Sequence, residues 1–288
     1  MPVEKLANGF WSISGAATDA KGALYFIDRR FQRIHRWTGE RGLEVVRDNA
    51  LDPVNLAVDA SGHLLVLSSL GAKAGVYSID PAGPKDQMTV IAPTPVRGRA
   101  GSAARTLVPV NWWVNGEFRD QLDHKTYQFT TLAELFAQDA GAAKAQEYVS
   151  PDGSLALPAF RVWQQGPTDH VGWRWSHSLN ANGLISGRAN ERIFVTNGSE
   201  NRTYSAAVGQ GGALQDLKPF ADRGGESVAV DRQGRVYVAN GQIYVYAPDG
   251  RQQGRIDVPD RPLQILFGGA DGATLFILTH NALYAAHP

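Results

Sequence analysis

The sequence predicts an all-β fold, a six-bladed β-propeller of four-stranded antiparallel blades, on three observations. A phrase made of an apolar strand, an Asp-x-x-Gly turn and a second apolar strand recurs at about forty residues, the spacing of propeller blades. Third strands ending in aromatic or aliphatic residues follow several copies. The chain closes on a segment that an N-terminal strand can complete.

The phrase reads AATDAKGALYFID from Ala16 to Asp28, LAVDASGHLLVLS from Leu56 to Ser68 and VAVDRQGRVYVAN from Val228 to Asn240. Asp19 and Asp59 lie 40 residues apart, and Gly22, Gly62 and Gly234 each follow the aspartate by three. Asp can bond the neighbouring backbone and Gly can take positive φ, so each phrase predicts a tight turn between antiparallel strands. The second strands, Leu24–Ile27 and Val236–Ala239, read as alternating strands of period 2. Third strands are Ile34–Trp37, Val76–Ile79 and Ile243–Tyr246. Weaker copies run from Leu184 to Asn197 and from Ile265 to Thr279.

Copies therefore start near Ser14, Val54, Asn182, Glu226 and Pro262, and the interval from about 95 to 179 holds one more blade plus an insertion. Glu4–Trp11 is expected to supply the outer strand of the last blade, which removes open sheet edges. Within the insertion, Arg105–Trp113 reads as a strand. Thr131–Asp139 has helical spacing, with Thr131 as N-cap and Glu134 at the capping-box position. Glu147–Ala159 reads as a hairpin around Pro151-Asp152-Gly153, and Gly172–Leu179 as a further strand. The expectation is one propeller domain over residues 1–288, with the insertion in the third blade covering one mouth.

Composition narrows function. Lys plus Arg and Asp plus Glu are 28 each, with no basic run, which argues against nucleic acid. The absence of cysteine excludes disulfides, thiolate metal sites and a cysteine nucleophile, and fits either a cytoplasm or a bacterial periplasm. The opening Met-Pro-Val-Glu-Lys-Leu-Ala-Asn has no apolar core of a signal peptide, and no run reaches the length of a membrane helix. No Gly-x-Ser-x-Gly elbow, phosphate loop or dinucleotide fingerprint occurs. A small molecule or a carbohydrate is the expected partner, bound by a monomer or weak oligomer.

These segments resemble the senescence-marker-protein/gluconolactonase-like family over most of residues 10–92 and 180–286. In that family each metal ligand lies five residues before the aspartate of a blade's first turn. The ligands are typically Glu, Asn, Asn and Asp around one divalent cation in the central tunnel. The resemblance places Asn182-Gly183-Leu184 on the Pro-Asn-Gly motif and Glu226–Asp231 on the Pro-Asp-Gly motif, with Glu226 as carboxylate. Ser14 stands where the family has its first glutamate, and Asn111 is the positional match for the remaining asparagine. The implied metal set is Glu226, Asn182, Asn111 and Ser14, with Glu226 also as catalytic group. A single carboxylate implies weak Ca²⁺ binding or a cation that keeps many waters, which Mg²⁺ does readily. Zn²⁺ would prefer histidine.

Five of the seven tryptophans fall in the insertion, beside His124, Tyr127, His170, Arg174 and His177. Sugars stack on aromatic rings and Arg binds carboxylates bidentately, so Trp113, Arg174 and His177 are the expected substrate contacts, with Glu200 as a further acid beyond a strand end. Tryptophans that merely pack the insertion onto the propeller would give the same pattern. The leading expectation is a divalent-metal-assisted hydrolase of a sugar lactone or related ester. Alternatives are a non-catalytic carbohydrate-binding or interaction module, alone or cut from a larger enzyme, and a His/Tyr polysaccharide lyase.

Overall fold

The computed structural model describes residues 2–68, 75–95, 104–109, 117–119, 126–128, 146–158, 184–188, 191–197, 200–209 and 214–288. The chain opens with β1 (Glu4–Asn8). Blade 1 is β2 (Ile13–Thr18), β3 (Leu24–Asp28), β4 (Arg33–Thr38) and β5 (Gly42–Arg47). Blade 2 is β6 (Pro53–Val58), β7 (Leu64–Ser68), β8 (Gly75–Ile79) and β9 (Thr89–Ile91). The third sector holds β10 (Thr94–Pro95), β11 (Arg105–Pro109), the separate hairpin of β12 (Glu117–Arg119) and β13 (Thr126–Gln128), then β14 (Gln146–Val149) and β15 (Leu155–Pro158). The fourth follows as β16 (Leu184–Gly187), β17 (Arg192–Asn197), β18 (Arg202–Val208) and β19 (Leu214–Ala221). Blade 5 is β20 (Ser227–Val230), β21 (Val236–Asn240), β22 (Gln242–Tyr246) and β23 (Gln252–Ile256). Blade 6 is β24 (Gln264–Gly268), β25 (Thr274–Leu278) and β26 (Ala282–Ala286), completed by β1 from the other end of the chain.

The Asp-x-x-Gly turns form as their residues require. In each, the aspartate carbonyl accepts the glycine N–H at 3.0–3.1 Å, at Asp19–Gly22, Asp59–Gly62 and Asp231–Gly234. The Oδ1 of each aspartate accepts two further N–H groups: Lys21 and Ala23, Ser61 and His63, Gln233 and Arg235, all within 3.0 Å. One side chain thus satisfies the donors that the reversal would leave unpaired. Ser150 takes the aspartate role in the hairpin of β14 and β15, where its hydroxyl accepts the Leu155 N–H at 3.0 Å.

The second strand of each complete blade is apolar on both faces because blades stack face to face. All five residues of β3 and of β7 are buried, while outer β9 and β23 are largely exposed. Burying each such Leu, Ile or Phe contributes roughly 1.5–3 kcal/mol. Ring closure is a paired strand: Glu4, Lys5, Ala7 and Asn8 of β1 face Ala285, Tyr284, Leu283 and Ala282 of β26.

Four blades have the expected four antiparallel strands, and two sectors differ. β16 pairs antiparallel with β11, giving a five-stranded sheet in the order β10-β14-β15-β11-β16 and leaving β17-β18-β19 as a three-stranded one. Arg105 holds this exchange: its guanidinium donates to the hydroxyl and the carbonyl of Ser186 at 3.0 and 2.9 Å and pairs with Glu191 at 3.0 Å. No helix occurs among the described residues, and none there is long and apolar enough to cross a membrane. The helix expected at 131–139 and the strand expected at 172–179 lie outside the described residues.

Candidate functional site at the tunnel mouth

The innermost strands β2, β6, β16, β20 and β24, together with Leu107 and Leu155, surround a central cavity of about 310 Å³. β2 and β24 run the same way around it, since Gln264 Nε2 donates to the Ala16 carbonyl at 3.1 Å and Thr18 Oγ1 to the Phe267 carbonyl at 3.0 Å. The N-terminal ends of the inner strands therefore share one mouth, and the loops preceding them form its rim.

Ser14 lies at this mouth, where β2 bulges between Ser14 and Ala16. The bulge needs glycine at its centre. Gly15 has φ +53°, and a Cβ there would lie 2.6 Å from the Cα of Asn55. The Ser14 hydroxyl is buried and has no hydrogen-bond partner among the described residues. Asn55, one blade further round, is 2% exposed, and its side-chain carbonyl accepts the Leu56 N–H at 2.9 Å.

Glu226 immediately precedes β20 and is set by a clamp from the neighbouring sector. Thr203 Oγ1 donates to the Arg223 carbonyl at 2.7 Å, and Gly225 N–H donates to Thr196 Oγ1. Asn240 Nδ2 bridges to the Gly224 carbonyl at 2.6 Å and to Asn201 Oδ1 at 2.8 Å. Only glycine fits at 224, since a Cβ would stand 2.2 Å from the Arg202 carbonyl oxygen. The resulting carboxylate is 12% exposed and receives a hydrogen bond from the Arg261 guanidinium, which is itself 70% exposed. Arg261 sits in the loop before β24. That loop is pinned by the Tyr284 hydroxyl, which donates to Asp260 Oδ2 at 2.5 Å, and by Gln242, which exchanges bonds with Val258 at 2.5 and 3.3 Å. Burial, then the Asp260 carboxylate, pushes the Tyr284 phenol up to about 12.

Glu200 is exposed in the turn between β17 and β18, adjoining Asn201 of the same clamp, and accepts the Tyr204 hydroxyl. Gln264 is 5% exposed and lines the cavity; its Oε1 has no partner among the described residues. Asn111, Trp113, Arg174, His177 and Asn182 lie outside the described residues, as do His124 and His170, while Tyr127 falls in β13.

Of the expected site, the structure thus brings Ser14 and Glu226 to one mouth, with Glu200 on a turn tied to the Glu226 loop. Sequence reasoning missed Asn55, Arg261 and Gln264. Asn55 escaped because it lies four residues before Asp59, and Val54 holds the place that the motif spacing counts to. The described part of the implied metal set is one hydroxyl and one carboxylate that already holds a guanidinium. Among the described residues no group of three His, Cys, Asp or Glu converges. A hard divalent cation takes six or more oxygens, and the described residues of the set offer two groups toward them, one already paired with the Arg261 guanidinium.

Fold and mouth together define a six-bladed propeller with polar groups at the starts of its inner strands. Residues 167–281 match the family model described as the SMP-30/Gluconolactonase/LRE-like region. No curated protein matches the sequence. A gluconolactonase of Xanthomonas campestris superposes with a TM-score of 0.57 at 19% identity, covering 98% of this chain and 88% of its own. A putative gluconolactonase gives 0.58 at 16%, with 98% and 90% covered. A calcium-binding regucalcin of Agrobacterium tumefaciens gives 0.58 at 14%, with 99% and 92% covered. At these identities the likeness establishes the shared fold.

Proposed function

We propose that the chain is a lactonase-type hydrolase that opens a sugar lactone or related ester at the tunnel mouth. The observation that carries this reading is Glu226 at the family's carboxylate position, at the head of an inner strand and in contact with Arg261. In the proposed reaction Glu226 takes a proton from a water whose oxygen attacks the carbonyl carbon. Arg261 stabilises the oxyanion, as a fixed donor aimed at developing charge does. The ring C–O bond then breaks and the departing alkoxide takes the proton, which leaves the open hydroxy acid.

The family resemblance implies a divalent cation at Ser14, Asn111, Asn182 and Glu226. A cation there would compete with Arg261 for the same carboxylate, so the charge stabilisation is assigned to the guanidinium and no step runs through a metal. One observation favours a second reading: a carboxylate held in an ion pair, with Ser14 in place of a second acid, suits a carbohydrate-binding module that turns nothing over. Acid release from a panel of sugar lactones, measured at constant pH, separates the two. Turnover that saturates with substrate supports the hydrolase. No release from any lactone or ester, with glycan binding intact, supports the module.

A further inference from the structure

The rim of the same mouth carries a basic and aromatic cluster with no part in the reading above. Trp11 is 55% exposed and Phe31 48% exposed, which is unusual for rings on a folded surface. The Arg30 guanidinium stacks over the Trp11 ring at 4.7 Å from its centroid and has no carboxylate partner among the described residues. The neighbouring arginines are engaged: Arg29 with Asp52 at 3.6 Å, and Arg33 with Asp48 at 3.0 Å while it lies over the Phe31 ring. Asp28 is 1% exposed and its Oδ2 accepts the backbone N–H of Trp11 at 3.1 Å, which fixes the main chain that carries the indole.

The rim is also rigidly built. Gln32, Asn49, Leu51 and Asp52 all hold positive φ, between 51° and 57°. Such backbone persists only where its surroundings enforce it, and it gathers at ligand clamps. Here the Gln32 carbonyl accepts the Ala50 N–H at 2.7 Å and its Oε1 accepts the Asp52 N–H at 3.2 Å. Arg29 N–H bonds the Ser12 carbonyl at 3.0 Å, which ties this rim to the strand that carries Ser14.

We propose that Trp11, Arg30 and Phe31 form a subsite for an acidic sugar, one ring of the ligand stacking on an exposed aromatic face while Arg30 takes its carboxylate. A guanidinium stacked on an indole keeps its N–H edges outward, in the fork that matches a carboxylate. Neutral sugars would gain the stacking alone. The proposal deepens the lactonase reading by naming its substrate class, and rests on that reading only for turnover.

Calorimetry with di- and trigalacturonate, against cellobiose as the neutral probe, tests it on the intact chain. Uronate binding is expected, weakened by salt, stronger than cellobiose binding, and lowered about tenfold or more in Arg30→Gln. Trp11→Ala is expected to weaken both probes. Equal uronate affinity in Arg30→Gln and the parent, or no uronate binding at all, overturns the subsite. Uronate binding lost in Arg30→Gln while no lactone is turned over leaves the subsite standing and fails the hydrolase. Lactone turnover with uronate affinity unchanged in Arg30→Gln does the reverse.

Discussion

Arg261 reaches from the loop between blades 5 and 6 to hydrogen-bond the carboxylate of Glu226 at the head of β20. The pair puts a fixed positive charge where the family resemblance implies a metal. Thermal unfolding of the parent chain should therefore be unmoved by Ca²⁺ or Mg²⁺. Arg261→Gln uncovers the carboxylate and should gain a saturable shift with either ion, a ligand at about 100 times its Kd being worth about 2.7 kcal/mol. A shift in the parent chain with none gained in the variant would contradict the assignment.

Gly224→Ala is expected to cost about 1–3 kcal/mol, because its methyl meets the Arg202 carbonyl and Thr196 Oγ1, at 2.2 and 2.5 Å from the ideal Cβ position. The same push moves the loop that sets Glu226. A lowered Tm together with lowered lactone turnover is the expected pair of readings, and an unchanged Tm would count against the clamp.

Asp231 Oδ2 accepts the Tyr237 hydroxyl at 3.2 Å and Asp19 Oδ2 accepts the Tyr25 hydroxyl at 3.4 Å. Blade 2 has Leu65 at the matching place, and Asp59 Oδ2 is buried with no partner among the described residues. Tyr237→Phe should lose about 0.5–1.5 kcal/mol in denaturant unfolding, and Tyr25→Phe no more than that, since its bond is longer. A stabilised Tyr237→Phe would show that the bond does not offset desolvation.

His35 is 6% exposed between Phe26, stacked at 5.2 Å, and Phe10, edge-on at 5.3 Å, and neither ring nitrogen has a hydrogen-bond partner among the described residues. Burial pulls its pKa down, partly offset by the Asp28 carboxylate. The unfolded chain then binds the proton more readily than the folded one. Stability should be fully present above the unfolded value of about 6.5 and fall as pH drops through the window below it. His35→Phe removes that part of the acid slope; an identical slope in the variant would exclude His35 as its source.

Legibility followed the range of the interactions. The Asp-x-x-Gly turns are local, and Asp19, Asp59 and Asp231 form them as their spacing implies. The position of Glu226 at the head of β20 was legible because it is counted along one strand. Arg261 was not, since its contact with a carboxylate 35 residues earlier depends on how two blades pack. The exchange of β16 onto β11 likewise turns on Arg105 meeting Ser186, 81 residues away. Trp11 and Arg30 show no motif; a bulge, two turns and a buried Asp28 bring them together.

The most direct measurement is acid release from a sugar lactone by the parent chain and by Glu226→Gln, both with chelator present. The account predicts saturable turnover in the parent and a loss of about 10²–10⁴-fold in the variant, with its unfolding midpoint retained. Equal turnover in the two proteins would contradict it.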